Sequence, residues 1–118
     1  MKISEERHGD VAILQIDGGL GYENHRDFAE MVDRALHEGV RHIIFDMDRL
    51  VYLSSWGIGS VLAATARVRQ NGGKAVLANV KRDLFHTLRI MRLVHILEIR
   101  DSVEDALEAV SPGTTSLP

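Results

Sequence analysis

The spacing of apolar side chains changes repeatedly along this chain, and each change marks an element. Val11-Ala12-Ile13-Leu14-Gln15-Ile16 reads as a strand paired with residues 2–6 through a turn at His8-Gly9-Asp10, an antiparallel opening. Phe28, Met31, Val32, Ala35 and Leu36 fall on one helical face, and Gly39 supplies a stop, so the first helix is expected over residues 24–38. His42-Ile43-Ile44-Phe45-Asp46 is almost continuously apolar, the mark of a strand covered on both faces. A short loop follows, then paired serines and a helix whose inner stripe is read as Ile58, Val61, Leu62 and Thr65. Asn71-Gly72-Gly73 ends that helix and introduces the strand Ala75-Val76-Leu77-Ala78. Leu84, Leu88 and Met91 stripe a third helix, His95 to Ile99 form a short last strand, and Val103, Ala106, Leu107 and Val110 stripe a terminal helix. This order predicts an α/β fold: one domain over residues 1–111, a mixed, mostly parallel sheet with an antiparallel first strand, right-handed crossovers and about four helices. Residues 112–118 read as a flexible polar tail.

Composition narrows the class. With 118 residues, 45% of them apolar and 26% charged, the chain has the profile of one globular domain rather than a disordered or membrane protein. Fourteen basic residues against 17 acidic ones give a net charge of −3, so nothing draws the whole molecule toward nucleic acid or anionic lipid, and specific protein partners are expected instead. Cysteine is absent, which excludes disulfides, thiolate metal sites and a cysteine nucleophile. No apolar run approaches the ~20 residues that span a bilayer. Met1 to Glu6 leads directly into domain sequence without a signal-like apolar stretch, so a cytoplasmic location is expected.

The candidate chemistry concentrates in Ser54-Ser55-Trp56-Gly57-Ile58-Gly59, where a strand region gives way to a helix. Ser55 is placed at the helix N-terminus, where unpaired amides and the positive end of the helix dipole would tolerate a phosphate. A Ser-Ser pair at this place is also ordinary helix initiation, since serine is a preferred N-cap. Gly57 and Gly59 would let another surface approach closely, or let the helix pack tightly on the sheet. Trp56, the lone tryptophan, is either an exposed interface anchor or a cap on the core edge. The Gly-x-Gly here lacks the third glycine of a dinucleotide site and the Gly-Lys-Ser/Thr of a phosphate loop.

Four segments together resemble a known family. Phe45-Asp46-Met47, Val51 to Gly59, Ile16-Asp17-Gly18-Gly19-Leu20 and Gly72-Gly73-Lys74-Ala75-Val76-Leu77, with their spacing over residues 3–110, are similar to STAS domains of the bacterial anti-sigma-factor antagonist type. The resemblance implies a regulator without catalysis or cofactor. In its unphosphorylated form it would bind an anti-sigma serine kinase of the ATP-binding type; phosphorylation by that kinase would break the complex, and a PP2C-type phosphatase would reset it. It places the phosphoacceptor on Ser55 and the partner-binding surface on Gly21, Tyr22, Ser54, Ser55, Trp56, Gly57 and Ile58. Phosphorylated members of the family commonly carry aspartate where this chain has Ser54, and another where Gly21 stands. An alternative reading is a STAS scaffold subunit of a larger bacterial signalling complex that never cycles through phosphorylation. A monomer or weak homodimer is expected.

Other constellations point less far. Asp46 and Asp48 end a strand as in a phospho-aspartate receiver, but an early acidic pair and a late lysine are missing. His8, His25, His37, His42, His86 and His95 show no paired metal-ligand spacing and read as structural or surface residues. Arg82, His86 and Arg89 share a helix face with Lys81 and Arg92 nearby, either a solvated face or a grip for phosphate or acidic partner residues. No Ser/His/Asp order, acid-base pair or metal set supports an enzyme, and Ser55 lacks the flanking glycine pattern of a nucleophile elbow.

Overall fold

The computed structural model describes residues 1–110; the expected flexible tail at 112–118 lies outside the described residues. Strands β1 (Lys2–His8), β2 (Val11–Leu20), β3 (His42–Asp46), β4 (Leu50–Leu53), β5 (Ala75–Ala78) and β6 (Glu98–Arg100) alternate with helices α1 (His25–His37), α2 (Ser55–Gln70), α3 (Arg82–Ile90) and α4 (Val103–Val110). Five strands form one sheet in the order β1-β2-β3-β5-β6, antiparallel only between β1 and β2. The opening hairpin closes through Gly9-Asp10, with His8 opposite Val11 and Gly9 in the left-handed region at φ +62°.

Side-chain alternation divides the core between the two faces of the sheet. Ala12, Leu14, Ile16, Ile43, Phe45 and Leu77 point to the layer of α1, α2 and α3, where Phe28, Val32, Val61, Val68 and Leu88 complete the larger core. Val11, Ile13, Ile44 and Val76 point the other way and pack on Ala106 and Val110 of α4. Coverage on both faces is why β3 reads as an unbroken apolar run. The parallel strands progress in one direction, so the sheet has no topological switch point and no crevice between diverging crossovers.

Four details depart from the sequence reading. The expected loop before the serines is the strand β4, paired in parallel with Gly18 to Leu20 of β2 through an irregular register. Its partner residues lie 32–33 positions away, and four residues are too few to show a period. The buried stripe of α2 is Gly57, Val61, Ala64, Thr65 and Val68, while Ile58 and Leu62 are half-buried, because the helix is rolled toward its small side chains. His95 closes a 3₁₀ turn (Leu93–His95), so the last strand starts at Glu98. Met91 lies past the end of α3 and is exposed.

Candidate functional site

β4 feeds α2 through a single residue. Ser54 is the N-cap: its backbone is extended, its carbonyl accepts from the Ile58 amide at 2.8 Å, and its Oγ accepts from the Gly57 amide at 3.4 Å. Its own amide donates to the Leu20 carbonyl at 3.1 Å, which ties the helix start to the end of β2. Ser55 is therefore the first helical residue rather than the cap, and it is exposed. At that position its amide has no intrahelical acceptor, and α2 has no acidic residue in its first turn to answer the helix dipole.

Gly57 is buried because the helix lies almost on the strand. A Cβ at Gly57 would stand 2.3 Å from the Leu20 carbonyl oxygen and 2.8 Å from Leu53 Cδ1. The close approach that the glycine permits is thus internal. Gly59 has nothing within 4 Å of such a Cβ and borders an open groove instead. Gly21 is also buried, with its virtual Cβ 3.0 Å from Ser54 Oγ, so Gly21 and Ser54 are neighbours across the β2–α1 and β4–α2 junctions. Gly21 and Gly57 shape the surface and contribute no side chain to it.

What the surface presents is aromatic. Trp56, 54% exposed, stacks on His25 with ring centroids 5.0 Å apart and meets Tyr22, 67% exposed, edge to face at 5.0 Å. His25, Ala29, Ser55, Trp56, Gly59 and Ser60 line a shallow groove between α1 and α2. Beside it, Tyr52 covers Gly19 and donates its hydroxyl to Glu23 Oε1 at 2.9 Å. A hydrogen bond from the backbone, and after it the one from Tyr52, hold the Glu23 carboxyl below its usual range, and the Tyr52–Glu23 contact pushes the Tyr52 phenol up. The loop carrying Tyr22 and Glu23 is stapled by Asn24, whose Oδ1 accepts from the Gly21 amide at 2.8 Å and whose Nδ2 donates to the Gly19 carbonyl at 2.9 Å.

Of the residues singled out from sequence, Tyr22, Ser54, Ser55, Trp56 and half-buried Ile58 meet around one end of α2. His25, Asn24 and Tyr52 were missed. Asn24 ahead of an apolar helical stripe is a capping signal, whereas nothing in the linear sequence ties His25 or Tyr52 to Trp56. Asp46 is 7% exposed, and its carboxylate is taken up internally, accepting from Asn79 Nδ2, Gln15 Nε2 and the Asp48 amide at 2.9–3.1 Å. It is a structural carboxylate at the end of β3, unlike a receiver's acceptor. No cluster of three metal-ligating side chains occurs among the described residues, and none of their helices is long and apolar enough to cross a membrane.

Comparison with known proteins agrees with this geometry. The anti-sigma F factor antagonist of Paenibacillus polymyxa is 25% identical over 112 residues, which cover 91% of this chain and 92% of that protein. The NMR structure of TM1081, a Thermotoga maritima protein, superposes with a TM-score of 0.84 at 23% identity, over 93% of this chain and 89% of that one. The Bacillus cell fate determinant SpoIIAA in its phosphorylated form superposes with a TM-score of 0.73 at 19% identity, over 93% and 100% of the two chains. Residues 2–106 match the family model of the STAS domain, and with the strand order and the β4–α2 junction described above, the chain belongs to the STAS domain family.

Proposed function

We propose that this protein is an anti-sigma-factor antagonist that acts by partner switching. Unphosphorylated, it binds an anti-sigma serine kinase through the end of α2 and the adjoining aromatic surface; phosphorylation of Ser55 releases it, and a PP2C-type phosphatase restores it. The observation that carries this reading is an exposed Ser55, fixed as the first residue of α2 and adjacent to the cluster of exposed Trp56 and Tyr22 with half-buried His25. The Paenibacillus relative, named as an antagonist, supports it. Exposed aromatics of this kind are the side chains on which protein interfaces concentrate their binding energy. A phosphate on Ser55 adds about −1.5 to −2 charges and three acceptor oxygens at the edge of that surface, so a partner must desolvate or repel it. A penalty of about 3 kcal/mol lowers affinity more than a hundredfold.

The test is affinity capture from the native host with wild-type and Ser55→Asp baits, reading partners and bait modification by mass spectrometry. A kinase-like anti-sigma factor held by the wild type and lost from Ser55→Asp is the expected outcome. The scaffold alternative draws on Gly21 and Ser54, which are neighbours and supply neither of the aspartates that phosphorylated members commonly carry there. Equal capture of one large assembly by both baits would replace partner switching with that reading.

A further inference from the structure

The α3 surface is electrically unlike the rest of the molecule. From Lys81 to Ile96, four cations (Lys81, Arg82, Arg89, Arg92) face the single carboxylate of Asp83, a balance of +3 in a chain of net −3, so the remainder carries −6. All four are exposed, and none is in an ion pair among the described residues, whereas Arg7, Arg67 and Arg100 are held by carboxylates. Leu84 and Leu88 turn α3 onto the core, which puts Arg82, His86 and Arg89 on its outward face. Phe85, 40% exposed, lies on the flank and forms a recess with Val80, Arg82, Ile99, Arg100 and Asp101. This recess runs between α3 and β6, and among the described residues β6 is the last strand of the sheet, with β5 on one side and no strand on the other.

We propose that this groove binds an extended acidic segment of a protein partner. The segment adds to the free edge of β6, sets an apolar side chain into the recess at Phe85 and Ile99, and answers Arg82 and Arg89 with carboxylates. A helix beside an open sheet edge is a recurrent way of holding an extended peptide: the backbone supplies affinity, and alternate side chains supply specificity. The concave shape and the strand edge favour a peptide over a lipid surface, which would need the apolar groups to protrude. Arg100 is already engaged by Glu98 at 2.7 Å, and Asp101 also lines the recess, so the charge preference comes from Arg82, which lines it, and from Arg89 further along the same helix face. The site shares no lining residue with the Ser55 groove. β2 and β6 are three strand spacings apart in the sheet, roughly 14 Å. The two sites are therefore separate, and the proposal stands whether or not the partner-switching reading does.

The experiment is selection from a displayed library of random eight-residue peptides on the wild-type protein, followed by titration of the enriched peptides. Enriched sequences are expected to alternate Asp or Glu with apolar residues and to shift the amide signals of Val80, Phe85 and Glu98 to Arg100. Their affinity should fall at least tenfold in Arg82→Glu/Arg89→Glu, weaken with salt, and stay unchanged in Trp56→Ala. Both substituted arginines are surface residues, and an unchanged circular dichroism spectrum establishes that the variant is folded. Absence of enrichment, or enriched peptides indifferent to the arginine substitutions, would overturn the proposal. Arginine-dependent sedimentation with phosphatidylglycerol vesicles, without any enriched peptide, would overturn it in favour of a lipid surface.

Discussion

Gly57 and Gly59 lie two residues apart in one helix and should respond to alanine with opposite signs. At Gly57 the new methyl group would stand 2.3 Å from the Leu20 carbonyl oxygen, more than 1 Å inside an ordinary carbon-oxygen contact. That oxygen is backbone, held by the Ser54 amide at 3.1 Å, so it cannot rotate away as a side chain would. Relief requires lifting the first turn of α2 off the end of β2. Overpacking of this kind costs about 1–3 kcal/mol, and the helix propensity gained by replacing glycine with alanine returns at most about 1 kcal/mol. Because the clash is with fixed backbone, the upper end of that cost applies, and a net loss of about 2 kcal/mol, or roughly 8 °C in Tm for a domain of this size, is expected for Gly57→Ala. At Gly59 nothing lies within 4 Å of the added methyl, so only the propensity gain remains, about 0.5–1 kcal/mol of stabilisation. Urea and thermal denaturation of the two variants beside the wild type measure both effects. A Gly57→Ala protein as stable as the wild type, or a Gly59→Ala protein that loses as much as its neighbour, would refute the account of how α2 is seated.

Two further outcomes follow from one buried and one half-buried polar group. Asp46→Asn presents an amide N–H₂ where both carboxylate oxygens now accept hydrogen bonds from Gln15, Asn79 and the Asp48 amide, and urea denaturation should show a loss of about 1–3 kcal/mol. His42 Nδ1 accepts the Lys74 amide at 2.9 Å, and burial lowers the pKa of the ring below its ordinary 6.5, with Arg41 and Lys74 adding to the shift and Asp10 opposing it. Because the folded pKa is the lower one, the unfolded chain takes up the proton first. The contribution of His42 is full above pH 6.5 and is lost as pH falls from there through the folded pKa, a slope that should flatten in His42→Gln.

Much of this architecture was legible because it is written in local periodicity. The two-faced burial of β3, the hairpin turn at Gly9-Asp10 and the stop at Gly39 each rest on residues a few positions apart. β4 and the aromatic cluster were not legible for the opposite reason. β4 exists only through Gly18 to Leu20, and Trp56 meets His25 across 30 residues of intervening chain. The distinction between Ser54 as cap and Ser55 as first helical residue is likewise a matter of one position, which two identical side chains in sequence do not reveal. Charge patterning was read correctly as a basic helix face, but the groove beside it appears only when β6 is seen to be the outer strand.

The direct splice of β4 onto α2 also has a kinetic meaning. Ser54 is hydrogen-bonded on three sides, to Leu20, Gly57 and Ile58, and the facing loop is stapled by Asn24, so the surface around Ser55 is complete before any partner arrives. Under the proposed function, a docking protein need not wait for a segment to order itself, and its encounter rate is set by diffusion and orientation. Loss of an apolar contact such as Trp56 would then act chiefly on how long the complex lives. A charge added at Ser55 would also slow the encounter, so the two kinds of change are separable by their rates.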